Sequence, residues 1–236
     1  GYDRTQSPLT TELKTEGLEI VYEESVESIP DYCRNPETTL VVYTPAIPAS
    51  HAGLVYFREH GFRVVKRAEL LGLITQSSKG LCFAGTHGKT TTSSMAAHIF
   101  HESPIGCNAF LGGILRNYNS NLILSEQSPF TVIEADEYDR SFHWLHPYMA
   151  VVTATDPDHL DIYGTEEAYL ESFAHFTSLI QPGGCLIMKK GIKLVPSVKE
   201  NVKIYTYSAR DGGDFHAGNI RIGDGTIVFD FVMPEG

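Results

Sequence analysis

Apolar runs alternate along this chain with segments whose apolar residues recur every three or four positions. The apolar runs predict strands at residues 18–22, 39–44, 62–65, 81–84, 130–135, 148–153 and 185–189. The helical spacings predict helices at residues 8–16, 49–60, 68–75, 90–100 and 165–180. After residue 202, short β-like runs are separated by glycine turns at residues 211–213 and 223–225. This alternation predicts an α/β fold with a mainly parallel sheet and a β-rich end.

A polar segment, QSSKG at residues 76–80, interrupts the pattern and marks the predicted domain boundary. Residues 1–76 predict a partial Rossmann-like domain, since they lack the opening strand and glycine-rich turn of a complete unit. Residues 77–236 predict a second domain with a parallel sheet of the P-loop type. Because the chain begins in mid-pattern and ends directly after a strand, we expect it to be a fragment.

A glycine-containing turn joins a predicted strand to a predicted helix in GTHGKTT at residues 85–91. Backbone N–H groups and the helix dipole attract phosphate at such a turn, and Lys89 adds a full positive charge. Thr90 follows the lysine, where a hydroxyl ligates the Mg²⁺ of a nucleoside triphosphate. The two glycines lie closer together than in the general P-loop. The pattern predicts an ATP or GTP site, with an ordinary strand–turn–helix connection as the alternative.

Carboxylates follow the next two predicted strands. EADEYD at residues 134–139 places Glu134 at a strand end, where P-loop proteins hold Mg²⁺. Carboxylates gathered this closely repel one another unless a cation neutralises them. After the following strand, His159 stands among three aspartates, a ligand set that suits a second divalent ion, Mg²⁺ or Mn²⁺. A solvated acidic loop and a helix cap remain the alternatives. Residues 111–121 predict a glycine- and amide-rich loop able to approach a polar substrate.

The composition excludes several classes of protein. The net charge of −11 argues against a nucleic-acid surface, and no basic stripe is visible. Four scattered cysteines without a CxxC pair suit a reducing cytoplasm better than a disulfide scaffold. No apolar run approaches the ~20 residues of a membrane span, and no signal-peptide pattern is visible. We therefore expect a cytoplasmic protein; the oligomeric state is not predicted.

Together these motifs resemble the Mur ligases of bacterial cell-wall synthesis. The resemblance covers nearly the whole chain and is most specific at residues 84–92, 134–137 and 158–159. The short glycine spacing is this family's own form of the phosphate loop. Mur ligases have a UDP-binding, an ATPase and a C-terminal domain. The resemblance implies a partial first domain and an incomplete second domain, with the third absent.

The resemblance also implies roles for individual residues. Lys89, Glu134 and His159 would be catalytic, Thr90 and Glu134 would ligate one Mg²⁺, and His159 would hold a second ion. The residues expected to hold the ATP phosphates are Gly85, Thr86, His87, Gly88, Lys89, Thr90 and Thr91.

The implied reaction is ATP-dependent amide-bond formation in peptidoglycan precursor synthesis, on which cell shape and division depend. The lactyl carboxylate of UDP-N-acetylmuramate becomes an acyl phosphate, which the amine of L-alanine attacks. A tripeptide acceptor, as in cell-wall recycling, remains open because EADEYD is similar in both types of ligase. A nucleotide switch is another alternative: residues 161–164 form an Asp-x-x-Gly, although no Asn-Lys-x-Asp occurs. The fragment alone is expected to bind ligands without ligating them, as a non-catalytic module.

Overall fold

A computed structural model describes residues 1–210 and 212–234, and the chain forms two compact units, Gly1–Leu70 and Leu71–Gly236. The first unit contains α1 (Pro8–Thr15), β1 (Leu40–Tyr43), α2 (Ala52–Glu59) and β2 (Arg63–Lys66). Strands β1 and β2 pair in parallel, with Val41 opposite Val64. Helix α3 (Arg67–Ser77) begins in the first unit and ends in the second.

Two predictions for the first unit have opposite outcomes: the helix at residues 8–16 is confirmed, and the strand at residues 18–22 is not. Helix α1 begins where expected, because the Ser7 hydroxyl accepts a hydrogen bond from the backbone N–H of Thr10 (3.2 Å). The predicted strand at residues 18–22 is wrong. Its Val21 pairs only in an isolated bridge with Tyr2, so this apolar run has no adjacent strand among the described residues.

The polar segment at residues 76–80, the predicted domain boundary, lies at the junction between two regular elements. It contains the end of α3 and the start of the next strand, whereas the compact units divide after Leu70. The last turns of α3 pack within the second unit: a Cβ on Gly72 would lie 2.3 Å from the carbonyl oxygen of Trp144. The Thr75 hydroxyl accepts a hydrogen bond from the His146 N–H (3.0 Å). These contacts explain why the division precedes the polar segment.

Nine strands of the described residues form one sheet in the second unit, in the order β11–β10–β9–β8–β7–β3–β6–β4–β5. Strands β5 and β11 pair antiparallel at the two edges, and all other pairs are parallel. This sheet confirms the predicted α/β class with a β-rich end. The predicted turn at residues 211–213 includes residue 211, which lies outside the described residues.

The elements of the second unit have the following bounds: β3 (Lys79–Ala84), α4 (Lys89–Glu102), β4 (Asn108–Leu115), β5 (Ser120–Ile123), β6 (Phe130–Glu134), β7 (Pro147–Val152), α5 (Leu160–Tyr163), α6 (Glu166–Ser178), β8 (Cys185–Lys189), β9 (Lys203–Ser208), β10 (Phe215–Gly223) and β11 (Thr226–Val232).

The glycine- and amide-rich segment at residues 111–121 is not a free loop, so that prediction is wrong. It belongs to a hairpin in which β4 pairs with β5, with Ala109 opposite Ile123 and Leu115 opposite Ser120. Leu111, Leu115 and Ile123 are buried in the core. Their burial outweighs the turn preference of the glycines.

Strand β3 lies inside the sheet and is buried on both faces. Cys82 and Ala84 contact a core that contains Phe173 of α6, whereas Leu81 and Phe83 contact a second core that contains Ala97 of α4. Burial on both faces explains the continuous apolar run of this strand. The carboxyl end of β3 therefore carries the following loop on a rigid base. Among the described helices, none combines the length and apolar composition needed to cross a membrane.

Candidate active site

The phosphate loop, residues 85–88, connects β3 to α4 and depends on its glycines. Gly85 and Gly88 have φ values of 133° and 82°, which side-chain-bearing residues rarely adopt. A Cβ on Gly85 would lie 2.3 Å from the Thr153 hydroxyl oxygen. The Thr86 N–H donates to the Ala154 carbonyl oxygen (3.1 Å). The loop is thus held against the segment that follows β7.

The Thr86 side chain also bonds to the protein. Its hydroxyl donates to the Asp156 carbonyl oxygen (2.7 Å) and lies 2.9 Å from the Tyr169 hydroxyl. Burial raises the pKa of Tyr169, which keeps its phenol protonated. These bonds give Thr86 a supporting role in the loop, in addition to the nucleotide contact expected from the sequence.

The amino end of α4 presents the remaining predicted phosphate-binding residues. Gly88 precedes the helix, and no side chain caps the helix end. Such an end offers unpaired N–H groups and partial positive charge to an anion. His87 and Thr91 are exposed beside it. The local geometry is that of an anion site.

Lys89 points back over the loop and forms a buried ion pair. Its ammonium donates to the Gly85 carbonyl oxygen (3.0 Å) and to the two Glu137 carboxylate oxygens (2.9 and 2.7 Å). The Glu137 side chain is 1% exposed and the Lys89 side chain 15%. The lysine is therefore where the sequence predicts it, with a carboxylate partner that had been given no role.

Thr90 and Glu134 lie together, as expected for ligands of one metal ion. The Thr90 hydroxyl donates to Glu134 Oε1 (3.0 Å), and the Gly112 N–H donates to Glu134 Oε2 (2.9 Å). A Cβ on Gly112 would lie 2.4 Å from that second oxygen. Glycine at position 112 therefore makes room for the carboxylate. A hydroxyl and a carboxylate are hard oxygen donors that fit Mg²⁺.

His159 contacts other residues than Thr90 and Glu134 do. It precedes α5 with a φ of 52°, and its ring packs edge-on against Tyr138, with centroids 5.2 Å apart. Its Nε2 is 3.8 Å from a carboxylate oxygen of Asp158. Within residues 1–210 and 212–234, no three His, Cys, Asp or Glu side chains form a group able to hold a metal ion. A second metal site at His159 stays a prediction.

The sheet order explains which parts meet. Strands β6 and β7 flank β3 in parallel, so Glu134, the phosphate loop and residues 153–159 all follow the carboxyl ends of neighbouring strands. The sequence analysis assigns no role to Glu137, because residues 134–139 contain four carboxylates and their spacing cannot tell which one reaches Lys89.

The first unit has a cavity of its own, with a volume of about 450 Å³. This unit lies within the part of the chain that the resemblance implies to be a partial UDP-binding domain. The lining residues are Tyr2, Asp3, Arg4, Glu24, Thr44, Ala46, Ile47, Pro48 and His51.

Two models of known protein families match this chain and together cover nearly all of it. The profile described as "Mur ligase middle domain" matches residues 83–236, and "Mur ligase family, catalytic domain" matches residues 1–79. The chain belongs to the Mur ligase family. The resemblance drawn from the phosphate-loop, EADE and Asp-His motifs is thereby confirmed.

Curated relatives of this Mur ligase chain match along its whole length. The UDP-N-acetylmuramate–L-alanine ligase of Parabacteroides distasonis is 66% identical over 235 residues, which are 100% of this chain and 51% of the relative. The enzyme of the same name from Phocaeicola vulgatus is 64% identical over 236 residues, again 100% and 51%. The chain spans about half the length of the curated relatives it matches.

Solved structures of the family share the fold of this Mur ligase chain. The UDP-N-acetylmuramate:L-alanyl-γ-D-glutamyl-meso-diaminopimelate ligase of Neisseria meningitidis superposes with a TM-score of 0.81 at 21% identity, covering 99% of this chain and 76% of the other. The UDP-N-acetylmuramate-alanine ligase of Thermotoga maritima gives 0.72 at 23% identity, covering 92% and 48%. At such identities the likeness concerns the fold.

Proposed function

We propose that this chain provides the nucleotide-sugar-binding and ATP-binding parts of a ligase that joins L-alanine to the lactyl carboxylate of UDP-N-acetylmuramate. The reaction proceeds through an acyl phosphate in cytoplasmic peptidoglycan precursor synthesis. The observation that carries the proposal is that the amino end of α4 carries both Lys89, folded back over the phosphate loop, and Thr90, bonded to Glu134. The names of relatives 66% and 64% identical to the chain support the choice of substrates.

The chemistry requires crowded negative charges to be held together. A carboxylate is a poor acyl donor because its oxide leaves badly, and phosphorylation converts that oxygen into a phosphate leaving group. The amine then attacks the carbonyl carbon, and phosphate departs from the tetrahedral intermediate. Lys89 and the free N–H groups of α4 offset the charge of the ATP phosphates, so catalysis is mainly electrostatic and positional.

Metal ions fit into this proposal through the oxygen donors of the site. Thr90 and Glu134 hold one Mg²⁺, with Gly112 leaving the space that the carboxylate needs. His159 holds a second divalent ion, Mg²⁺ or Mn²⁺, together with groups supplied by the substrates. When bound, these ions neutralise phosphate charge and align the phosphate with the carboxylate.

The nucleotide sugar is assigned to the first unit. Its cavity of about 450 Å³ is lined by a mixture of polar, charged and apolar residues, among them Arg4, Thr44 and the acidic residues Asp3 and Glu24. A concave site with several hydrogen-bonding groups suits a polar ligand such as a nucleotide sugar. Because the chain spans about half of its relatives, the complete activity is assigned to the full-length protein.

Phosphate release from ATP by the full-length protein tests the proposal. With UDP-N-acetylmuramate and Mg²⁺ present, we expect L-alanine to stimulate release and the L-Ala-D-Glu-diaminopimelate tripeptide to have little effect. Stimulation by the tripeptide alone would identify a recycling ligase with the same phosphate and metal roles. If neither acceptor stimulates release, the ligase assignment fails and the nucleotide-switch alternative gains support.

A further inference from the structure

The Lys89 ammonium is already engaged by the protein. Its nitrogen lies 3.0 Å from the Gly85 carbonyl oxygen and 2.9 and 2.7 Å from the two carboxylate oxygens of Glu137. An ammonium group has three N–H donors, and the two oxygens of one carboxylate lie close enough together to share one of them. These contacts hold the ammonium against Glu137 and the loop. A nucleotide phosphate must therefore compete with the Glu137 carboxylate for the position of the Lys89 ammonium.

The contact with Glu137 is strong because it is charged and shielded from water. Hydrogen bonds between an ammonium and a carboxylate are about twice as strong as bonds between neutral groups. With side chains only 15% and 1% exposed, this pair is little weakened by solvent or salt. The carbonyl of Gly85 is a weaker, neutral partner. The carboxylate is thus the main competitor for the ammonium.

The backbone of Glu137 is fixed by hydrogen bonds to its carbonyl oxygen, which restricts movement of its carboxylate. Its carbonyl oxygen accepts hydrogen bonds from the Tyr163 hydroxyl (2.5 Å) and from the Arg140 N–H (3.0 Å). The turn that follows contains Asp139 and Arg140 at φ values of 50° and 54°, an uncommon conformation for residues with side chains. The Arg140 guanidinium stacks over the Tyr163 ring, 4.8 Å from its centroid. The flexible lysine, rather than the glutamate, is therefore the partner that moves.

We propose that Glu137 is a positioning residue that competes with nucleotide phosphate for Lys89 and thereby weakens ATP binding. The inference rests on the proposed function, since it assumes that Lys89 binds ATP. Glu137 holds the lysine extended over the loop, and ATP binds by exchanging phosphate oxygens for the carboxylate oxygens. The residue thereby sets the affinity for ATP.

The test compares ATP binding to two variants of the full-length protein by calorimetric titration in the presence of Mg²⁺. Glu137→Gln keeps the size of the side chain and removes its charge. We expect an ATP Kd about tenfold lower than that of the unmodified protein, the factor typical of one bond to a charged partner. Asp136→Asn is the matched control, because it removes the same charge from an exposed side chain on the same turn. Its Kd is expected to stay within about twofold of the unmodified value, since solvent screens an exposed charge.

Steady-state kinetics provide a second measurement that a purely structural defect would not reproduce. Glu137→Gln should lower the KM for ATP and leave the KM for UDP-N-acetylmuramate unchanged. If Glu137→Gln folds poorly, Glu137→Asp serves instead, because its shorter side chain retracts the carboxylate from Lys89 and lowers the Kd in the same direction.

Two results would overturn the inference. One is an unchanged or higher ATP Kd in a folded Glu137 variant, and the other is an equal decrease in Asp136→Asn. Both results assume that the unmodified protein binds ATP and joins L-alanine to UDP-N-acetylmuramate. An unmodified protein that does neither would refute the proposed function itself, which distinguishes the two failures.

Discussion

The two segments that follow β6 and β7 lie at the same edge of the sheet but differ in how firmly they are held. At the end of β6, Glu134 contacts both Thr90 and Gly112, and in the turn that follows Glu137 forms a buried pair with Lys89. After β7, His159 has a ring contact with Tyr138 and a distant carboxylate at 3.8 Å. The first segment is held by several protein contacts, whereas His159 in the second, the proposed metal ligand, is held by few.

This difference indicates a division of labour within the site. Glu134 is fixed by its bonds to Thr90 and Gly112 before a nucleotide binds and needs no rearrangement, whereas Lys89 must exchange its Glu137 partner for phosphate. A metal ligand that completes its site only with substrate oxygens can remain partly exposed. The following changes test this contrast, in order of decreasing expected effect.

Lys89→Met should have the largest effect, on both activity and stability. Loss of the positive charge should lower the ligation rate of the full-length protein about 10²–10³-fold, comparable to the loss when one oxyanion-hole donor is removed from an enzyme. The buried Glu137 carboxylate then lacks its cation, which should cost about 3–5 kcal/mol of unfolding free energy. Phosphate-release assays and urea denaturation measure the two effects. Recovery of stability, without activity, in Lys89→Met/Glu137→Gln would confirm the cause; a fully stable single variant would contradict it.

Gly112→Ala should disrupt the Thr90–Glu134 pair without unfolding the sheet. The new Cβ would lie 2.4 Å from Glu134 Oε2, so the carboxylate must move by about an ångström, enough to lower turnover about 10²-fold. Turnover measured against Mg²⁺ concentration tests this. Gly223→Ala is the control, because a Cβ there has no neighbour within 4 Å. Normal Mg²⁺ dependence in Gly112→Ala would show that Glu134 is not a metal ligand.

His159→Asn should reduce activity while leaving stability nearly unchanged. Asparagine tolerates the left-handed φ of 52° at this position, so the change removes the imidazole without straining the backbone. We expect at least a ~10-fold increase in the metal concentration needed for ligation, as for other disturbed metal sites. The urea midpoint should match that of the unmodified protein. An unchanged metal requirement would exclude His159 as a ligand.

The smallest expected effect is a pH dependence of the unfolding free energy, caused by His143 in the turn that follows Glu137. Burial lowers the pKa of His143, helped by the nearby His175 and Arg140 and opposed by a hydrogen bond to the Ser172 carbonyl. The unfolded chain, with a histidine pKa of about 6.5, binds the proton more readily, so stability falls as pH drops below that value. Urea midpoints at pH 7.5 and 5.5 should differ less in His143→Gln. An equal difference in both proteins would assign the dependence to other groups.

The agreement between sequence and structure is best where local patterns suffice. The apolar run of β3, the glycines of the phosphate loop and the lysine at the start of α4 follow from residues adjacent in the chain. The predicted strand at residues 18–22 failed because a strand needs a neighbour that its own sequence does not specify. The glycines at positions 112 and 113 indicated a loop, but burial of Leu111 and Leu115 keeps this segment in a strand.

For the site, the sequence by itself determined the chemical groups: a phosphate loop, a hydroxyl beside a lysine, and carboxylates and a histidine after neighbouring strands. Only the tertiary structure decided which carboxylate faces which partner. Glu134 reaches Thr90, and Glu137 reaches Lys89, over sequence separations of 44 and 48 residues. Such pairings depend on the order of strands in the sheet and on the turn after β6, and neither property is encoded by the spacing of the residues themselves.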